Sequence, residues 1–373
     1  MATCFALYNY SVMRSRQISP RPKMREISEG EWDHFVSHHP HGHVLQTLNW
    51  GRLKAMHGWK PMHASVFAQQ GKPIGVVLTL IRTLPYGLGN IAYVPRGPVV
   101  NWDNEEYATL AAQAAGRLAR NAGAFALVIE PDLLDTATDR ALLARLGLQY
   151  VDFGVQPRRT IWVNLDVDEE VDILAAMKQK TRYNIGLARR KGVTVRAGAP
   201  EDAELFYGMM QTTAERDTFS IHPLAYYKDF MQLFTLGEHA PARLLIAEHE
   251  GVPLAALIVT AVGERAIYLY GASANQKREL MPAYLLQWEA MLWARARGCK
   301  TYDLWGVPDE DEATLEANFE SRSDGLWGVY RFKRGFGGQV VRHIGAWVSV
   351  LSPARWWLFR QACKIRKTTG LAA

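Results

Sequence analysis

The two halves of the chain carry the same series of segments in the same order. Gly71-Lys72-Pro73-Ile74-Gly75-Val76 is answered by Gly251-Val252-Pro253-Leu254-Ala255-Ala256, and Ile91-Ala92-Tyr93-Val94 by Ile267-Tyr268-Leu269-Tyr270. Ala119-Arg120-Asn121-Ala122-Gly123 is answered by Ala294-Arg295-Ala296-Arg297-Gly298, and Val128-Ile129-Glu130-Pro131-Asp132 by Leu304-Trp305-Gly306-Val307-Pro308-Asp309. Parallel order with parallel spacing argues for a duplicated unit. In the first copy, Met62 to Ala68 and Pro73 to Ile81 read as a hairpin closed at residues 70–72. A strand at Ile91, a helix from Glu105 to Ala122 and a buried-type strand from Ala126 follow. Hairpin, strand, helix and strand make a mixed, twisted sheet with helices on its faces, an α/β (α+β) class. At 373 residues the chain is long enough for two such units, each with its own core.

Hydrophobic content of 48% and charged content of 21% are those of an ordinary globular protein. The 43 Lys and Arg against 37 Asp and Glu give a net charge of +6, unevenly placed. No acidic residue follows Asp324, whereas Arg331, Lys333, Arg334, Arg342, Arg355, Arg360, Lys364, Arg366 and Lys367 do. Such an end suits nucleic acid or an anionic membrane surface, although a charge run is more commonly a solubilising tail. The three cysteines lie far apart without metal-ligand spacing, so neither a disulfide framework nor a zinc site is expected, and a reducing cytoplasm fits. Four histidines between His38 and His43 lack a carboxylate or cysteine companion, and no metal is expected there. No apolar run reaches the roughly 18 residues of a membrane span. Residues 1–23 have no clean signal-peptide layout and are expected to be disordered, with Met24 as an alternative start.

Ser28 with Glu31 three residues on reads as a capping box. A helix from Gln46 to Lys54 puts Trp50 and Lys54 on one face, where they fit a binding site, a core position or a solvated cation. Between the halves one long helix is expected from Glu169 to Lys191, stopped by Gly192. Its apolar face is Leu174, Met177, Thr181, Ile185 and Ala188. Lys178, Arg182 and Arg189 line that face and Lys180 and Lys191 flank it, a stripe that fits a phosphate grip or a solvated surface. Tyr330 to Gly338 packs three cations, three aromatics and three glycines into nine positions. The glycines permit sharp turns or close approach, the aromatics offer stacking faces, and the cations suit phosphates or an oxyanion. A β-hairpin with a solvated edge is the plain alternative.

The sheet order of each unit is that of GCN5-related acyltransferases. From about Ile27 to past Gly345 the chain also resembles the FemAB family (FemX/MurM-like), the non-ribosomal peptidyl transferases that build peptidoglycan cross-bridges. The likeness is carried by Gln46-x3-Trp50-x3-Lys54, Tyr93-x-Pro95-Arg96-Gly97-Pro98, Lys180-Thr181-Arg182-Tyr183-Asn184-Ile185 and Glu215-Arg216-Asp217-x-Phe219. It continues through Tyr226-Tyr227, Tyr268-Leu269-Tyr270-Gly271-Ala272-Ser273, Met281-Pro282-x2-Leu285-Leu286-x-Trp288, Tyr302-Asp303-x-Trp305-Gly306 and Phe332-Lys333-x-Gly335-Phe336-Gly337-Gly338. The resemblance implies two GCN5-like domains, residues 24–159 with 343–373 and residues 160–342, the latter including the basic helix 169–191. It implies transfer of an amino acid from aminoacyl-tRNA to the stem-peptide amine of lipid II or UDP-MurNAc-pentapeptide, with no cofactor. Phe332 and Lys333 fall where the family places its tRNA-end and transition-state contacts, and Tyr93, Tyr227 and Tyr268 look like its acceptor-site tyrosines. Trp50, Lys54, Arg96, Lys180, Arg216 and Tyr270 are further candidate substrate contacts on these motifs. The family's acceptor-phosphate arginine has no clear match near His222, leaving Arg216, Arg182 or Arg243 as substitutes.

The implied chemistry suits these residues. An ester on a ribose hydroxyl is already activated, so juxtaposing it with an amine supplies much of the barrier reduction. Lys333 is the candidate to stabilise the tetrahedral oxyanion, with tRNA phosphate binding as its alternative role. Asp303, at the end of a predicted strand, is a candidate to accept or hold the amine proton, or to cap structure. No Cys–His or Ser–His pairing supports a covalent intermediate. A rival acyl-CoA N-acyltransferase needs a glycine-rich turn before its pyrophosphate helix; the corresponding stretch, Arg278-Glu279-Leu280-Met281-Pro282-Ala283, has no glycine and loses an amide donor at Pro282. A non-catalytic tRNA- or lipid-binding module is a third reading. The tail from Pro353 to Lys367 fits either docking on the first domain or contact with the inner membrane leaflet.

Overall fold

The computed structural model describes residues 27–366 apart from 70 and 218; residues 1–23 and the end of the tail lie outside the described residues. Strands β1 (Lys60–Phe67), β2 (Pro73–Leu84), β3 (Gly89–Pro95), β4 (Val99–Val100), β5 (Ala124–Glu130) and β6 (Gln149–Val151) belong to a first sheet. β7 (Arg159–Asn164), β8 (Thr194–Ala197), β9 (Ala242–His249), β10 (Val252–Val262), β11 (Arg265–Ser273), β12 (Thr301–Asp303) and β13 (Gln339–Arg342) form a second. β14 (Ala346–Val350) returns to the first. The duplicated pattern is realised strand for strand. β1-β2-β3-β5 and β9-β10-β11-β12 share one order, with antiparallel, antiparallel and parallel neighbours in each. These are the two mixed α/β sheets expected of tandem GCN5-like units.

Helix packing follows from burial. The expected capping box at Ser28 starts α1 (Glu29–His38), and α2 (Leu48–Met56) follows a short 3-10 turn. α3 (Glu105–Asn121) lays an alanine stripe on the outer face of the first sheet, joined there by α4 (Ala137–Arg145). α5 (Glu170–Ala176), α6 (Gln179–Arg190) and α9 (Pro282–Ala296) cover the second sheet's outer face. Between the inner faces, α8 (Leu224–Phe234) packs against both α2 and α7 (Ala203–Asp217), and one apolar cluster runs from Leu78 and Tyr93 through Trp50, Phe230 and Tyr227 to Leu244 and Ile258. At roughly 25 cal/mol per Å² of apolar surface, such a continuous cluster fastens the two sheets together. α10 (Glu312–Asn318), α11 (Trp327–Lys333) and α12 (Pro353–Arg366) complete the chain. Among the described residues no helix is long and apolar enough to cross a membrane.

The chain crosses between the sheets twice, between β6 and β7 and again between β13 and β14. The crossings touch: the His343 amide donates to the Arg158 carbonyl at 2.6 Å.

The structure departs from the sequence expectations at two elements. The long helix 169–191 is broken into α5 and α6, because Met177 and Lys178 are extended (ψ 154° and 145°) and the Lys178 amide donates to the Gly335 carbonyl at 2.9 Å. Gly192 ends α6 with φ +79° as expected. The Tyr330 stretch is not a hairpin: it opens in α11, whose buried residues Trp327, Tyr330 and Lys333 recur every three positions, and only Gln339–Arg342 is strand. Gly337 and Gly338, at φ +76° and +89°, press against the backbones of Ala176 and Trp162, an approach a side chain would block.

Candidate active site

Lys333 ends α11 and points inward, 5% exposed. Its ammonium donates to the Gly306 carbonyl at 2.9 Å and stands 5.5 Å from the centre of the Tyr268 ring. Burial lowers its pKa to about 7, against the opposing pull of Asp303. Asp303 is fully buried at the end of β12. Its carboxylate accepts from the Thr160 hydroxyl, from the Trp305 amide at 2.7 Å and from the Trp162 indole at 3.1 Å. Those donors fix the loop that carries Gly306, which is also paired to β7 through the Leu304 and Val307 amides. Asp303 thus supports Lys333 with charge and with loop geometry. Phe332, partly exposed, meets Tyr284 and Phe336 at 5.1 Å each. Beside Gly306 an open depression of about 370 Å³ is walled by Pro157, Leu326 and Trp327.

A second cluster surrounds Lys54. Its ammonium lies 4.8 Å from the ring centres of both Trp50 and Tyr226 and donates to the Tyr226 hydroxyl at 3.2 Å. Burial, helped by Arg82, lowers its pKa to about 8. The Tyr226 and Tyr270 hydroxyls are 3.1 Å apart, Tyr227 packs 5.6 Å from Tyr270, and His222 stacks on Tyr226 at 3.9 Å. Burial lowers the His222 pKa to about 4 and, with it, the tendency to add charge to this pocket.

Strand alternation would put Tyr268 and Tyr270 on one face. A β-bulge separates them. Val259 pairs with Tyr268 and the next residue back, Ile258, with Tyr270, so Leu269 is the extra residue. Tyr270 joins the inter-sheet cluster with Tyr227, whereas Tyr268 faces Lys333 on the other side. Tyr227 and Tyr268, grouped by the resemblance, are therefore divided between the two clusters.

The remaining candidates sit apart. Tyr93 is buried, donating to Glu130 at 2.7 Å and accepting from the Gln156 amide at 2.9 Å. Arg96 is buried in left-handed backbone (φ +47°), bonded to the Pro157 carbonyl at 2.7 Å, 5.4 Å from the ring centre of Trp305, which is itself at φ +61°. Two left-handed non-glycine residues facing each other concentrate backbone strain at the loop that carries Gly306. Gln46 is structural: its amide bonds the Leu78 backbone and the Pro95 carbonyl. Lys180 is exposed on α6, and Arg182 reaches back to the Met177 and Ala175 carbonyls, capping α5. Arg216 pairs with Asp217 and bonds Asn275 at 3.0 Å. Arg243 and Arg297 flank Trp293 at the rim of a separate pocket of about 140 Å³. Among the described residues none of Lys180, Arg182, Arg216 and Arg243 contacts Lys333 or Lys54. No group of His, Cys, Asp and Glu suited to a metal occurs among the described residues.

Sequence reasoning did not single out Thr160, Trp162 and Arg265, which brace Asp303. Their contacts join β7, β11 and β12 across long sequence separations, and no local spacing announces them. The turn before α9 places Lys277 and Met281 at φ +49° and +55° and starts the helix on Pro282, while α3 opens with Glu105 and Glu106. One helix N-terminus lacks a donor and the other carries acids, a poor setting for a pyrophosphate in either unit.

A family model described as the FemAB family matches residues 27–249 and 242–364. The lipid II:glycine glycyltransferase of Staphylococcus aureus (strain USA300) is 25% identical over an alignment of 410 positions, covering 90% of this chain and 94% of that protein. The crystal structure of FemX superposes with a TM-score of 0.81 at 23% identity, over 91% of this chain and all of the other. L-PGS from Bacillus licheniformis superposes with a TM-score of 0.51 at 13% identity, over 92% of this chain and all of that one. At these identities the two solved structures speak for the fold.

Proposed function

The chain belongs to the FemAB family, and from that premise we propose that it is an aminoacyltransferase acting on a peptidoglycan precursor. The donor is an aminoacyl-tRNA, and the acceptor is the stem-peptide amine of lipid II or UDP-MurNAc-pentapeptide. The carrying observation is Lys333: a buried ammonium at the end of a helix, held on the Gly306 carbonyl of a loop that Asp303 braces and that borders an open depression. The Staphylococcus aureus relative, a glycyltransferase on lipid II by name, supports the acceptor class and makes glycine the first group to test.

The acceptor amine attacks the ester carbonyl carbon, the C–N bond forms and the carbonyl oxygen becomes an oxyanion. Lys333 turns from Gly306 to that oxygen. Collapse breaks the bond to the ribose oxygen, which takes the proton lost by the amine. An oxyanion donor of this kind contributes about 2.7–4 kcal/mol to transition-state stabilisation. Phe332, with Tyr284 and Phe336 behind it, offers a stacking face for an unpaired terminal base. The Lys54 cluster lies on the other face of β11 and takes no part in this step. No cofactor is required on this reading, and neither helix N-terminus favours CoA. The test is transfer of labelled amino acid from a panel of charged tRNAs to both acceptors; transfer is expected with at least one pairing, and its absence across the panel would overturn the assignment.

A further inference from the structure

We propose that the outward face of α12 is a docking surface for an anionic lipid bilayer. The helix is apolar on two sides. On one, Phe359 and Trp356 are docked on the first sheet's unit, with ring centres 5.7 Å from Phe125 and 6.1 Å from Phe153 respectively. On the other, Trp357 and Leu358 remain 61% and 48% exposed. At 3.6 residues per turn, Ala354, Trp357, Leu358 and Gln361 share an arc about 100° wide. Lys364 and Arg360 border that arc on one side and Arg355 on the other. Among the described residues neither Arg355 nor Lys364 has an ion-pair partner, while Arg360 pairs with Asp152 at 3.1 Å.

Charge selects the occupant. No acidic residue follows Asp324, so the face is cationic throughout and would repel its own copy. The N-terminal segment before Glu26 holds Arg14, Arg16, Arg21, Lys23 and Arg25 and no acid, and is equally unsuited to cover it. A convex helix with a large aromatic and a leucine between cations matches the headgroup boundary of an anionic bilayer, where the apolar pair enters and the cations meet lipid phosphates. This inference rests on the helix surface alone and not on the proposed reaction.

The test uses the full chain with vesicles of phosphatidylglycerol and phosphatidylcholine, and with phosphatidylcholine alone. Co-sedimentation is expected with the anionic vesicles and should weaken with added salt. Trp357→Ser/Leu358→Ser should bind at least about tenfold more weakly, and Arg355→Glu or Lys364→Glu about fivefold or more. Circular dichroism of each variant should match the parent, since the substituted side chains are solvent-facing. Equal vesicle binding by the double variant, or no binding of the parent to anionic vesicles, would overturn the proposal. So would a parent dimer that the double variant dissolves, which would assign the face to a second copy.

Discussion

Arg265, the first residue of β11, lies 2.9 Å from Asp132, which follows β5 of the other sheet. The pair is an electrostatic tie between the two units, and its carboxylate is buried. Arg265 also stacks 4.6 Å from the ring centre of Trp162, whose indole donates to Asp303, which in turn faces Lys333. Four charges of alternating sign, three of them buried, thus run from the junction to the candidate catalytic lysine.

Removing one member of that tie leaves an uncompensated buried charge. Arg265→Gln should lower unfolding free energy by about 3–5 kcal/mol in urea titration, whereas Arg265→Leu/Asp132→Leu should lose much less.

The same tie sets an acid limit. Burial raises the Asp132 carboxyl, but Arg265, His343, His43 and Arg96 overcome it and hold the group well below the usual carboxylate range. A depressed carboxyl contributes stability present above its unfolded pKa of about 3.9 and lost as pH falls below it. Burial of neutral His343 acts in the same direction below about pH 6.5. Thermal unfolding should therefore shift down on acidification, and the shift should be smaller in the double leucine variant.

Lys333 has the opposite sign. Its folded pKa of about 7 lies below the unfolded value of about 10.4, so the unfolded chain binds the extra proton between them and stability rises with pH across that window. Lys333→Met should flatten that rise without lowering the melting temperature at pH 7. Transfer activity, which needs the ammonium, should fall as pH rises through 7.

The bulge at Leu269 predicts a pattern of coupling. Tyr226→Phe and Tyr270→Phe share a hydroxyl contact and should couple by about 0.5 kcal/mol or more in a double-mutant stability cycle. Tyr268→Phe and Tyr270→Phe, on opposite faces without a common partner, should add within about 0.3–0.5 kcal/mol. Strong coupling of the second pair would place both on one face.

Much of this was readable from the residues. The repeat foretold the matching strand order because each unit must bury the same faces, and the Trp50–Lys54 spacing foretold their contact. Three features were not readable. The bulge at Leu269 depends on pairing with β10, and β-branched or aromatic alternation reads straight through it. The break at Met177–Lys178 is set by Gly335, more than 150 positions away, while local propensity favours one continuous helix. The brace of Thr160, Trp162 and Arg265 around Asp303 exists only once β7, β11 and β12 are neighbours.

The role of Lys333 is tested most directly by the turnover of Lys333→Met in aminoacyl transfer, measured at saturating charged tRNA and acceptor beside the parent protein. The account predicts kcat lower by about 100- to 1,000-fold with KM for the acceptor nearly unchanged. Equal kcat in the two proteins would contradict it.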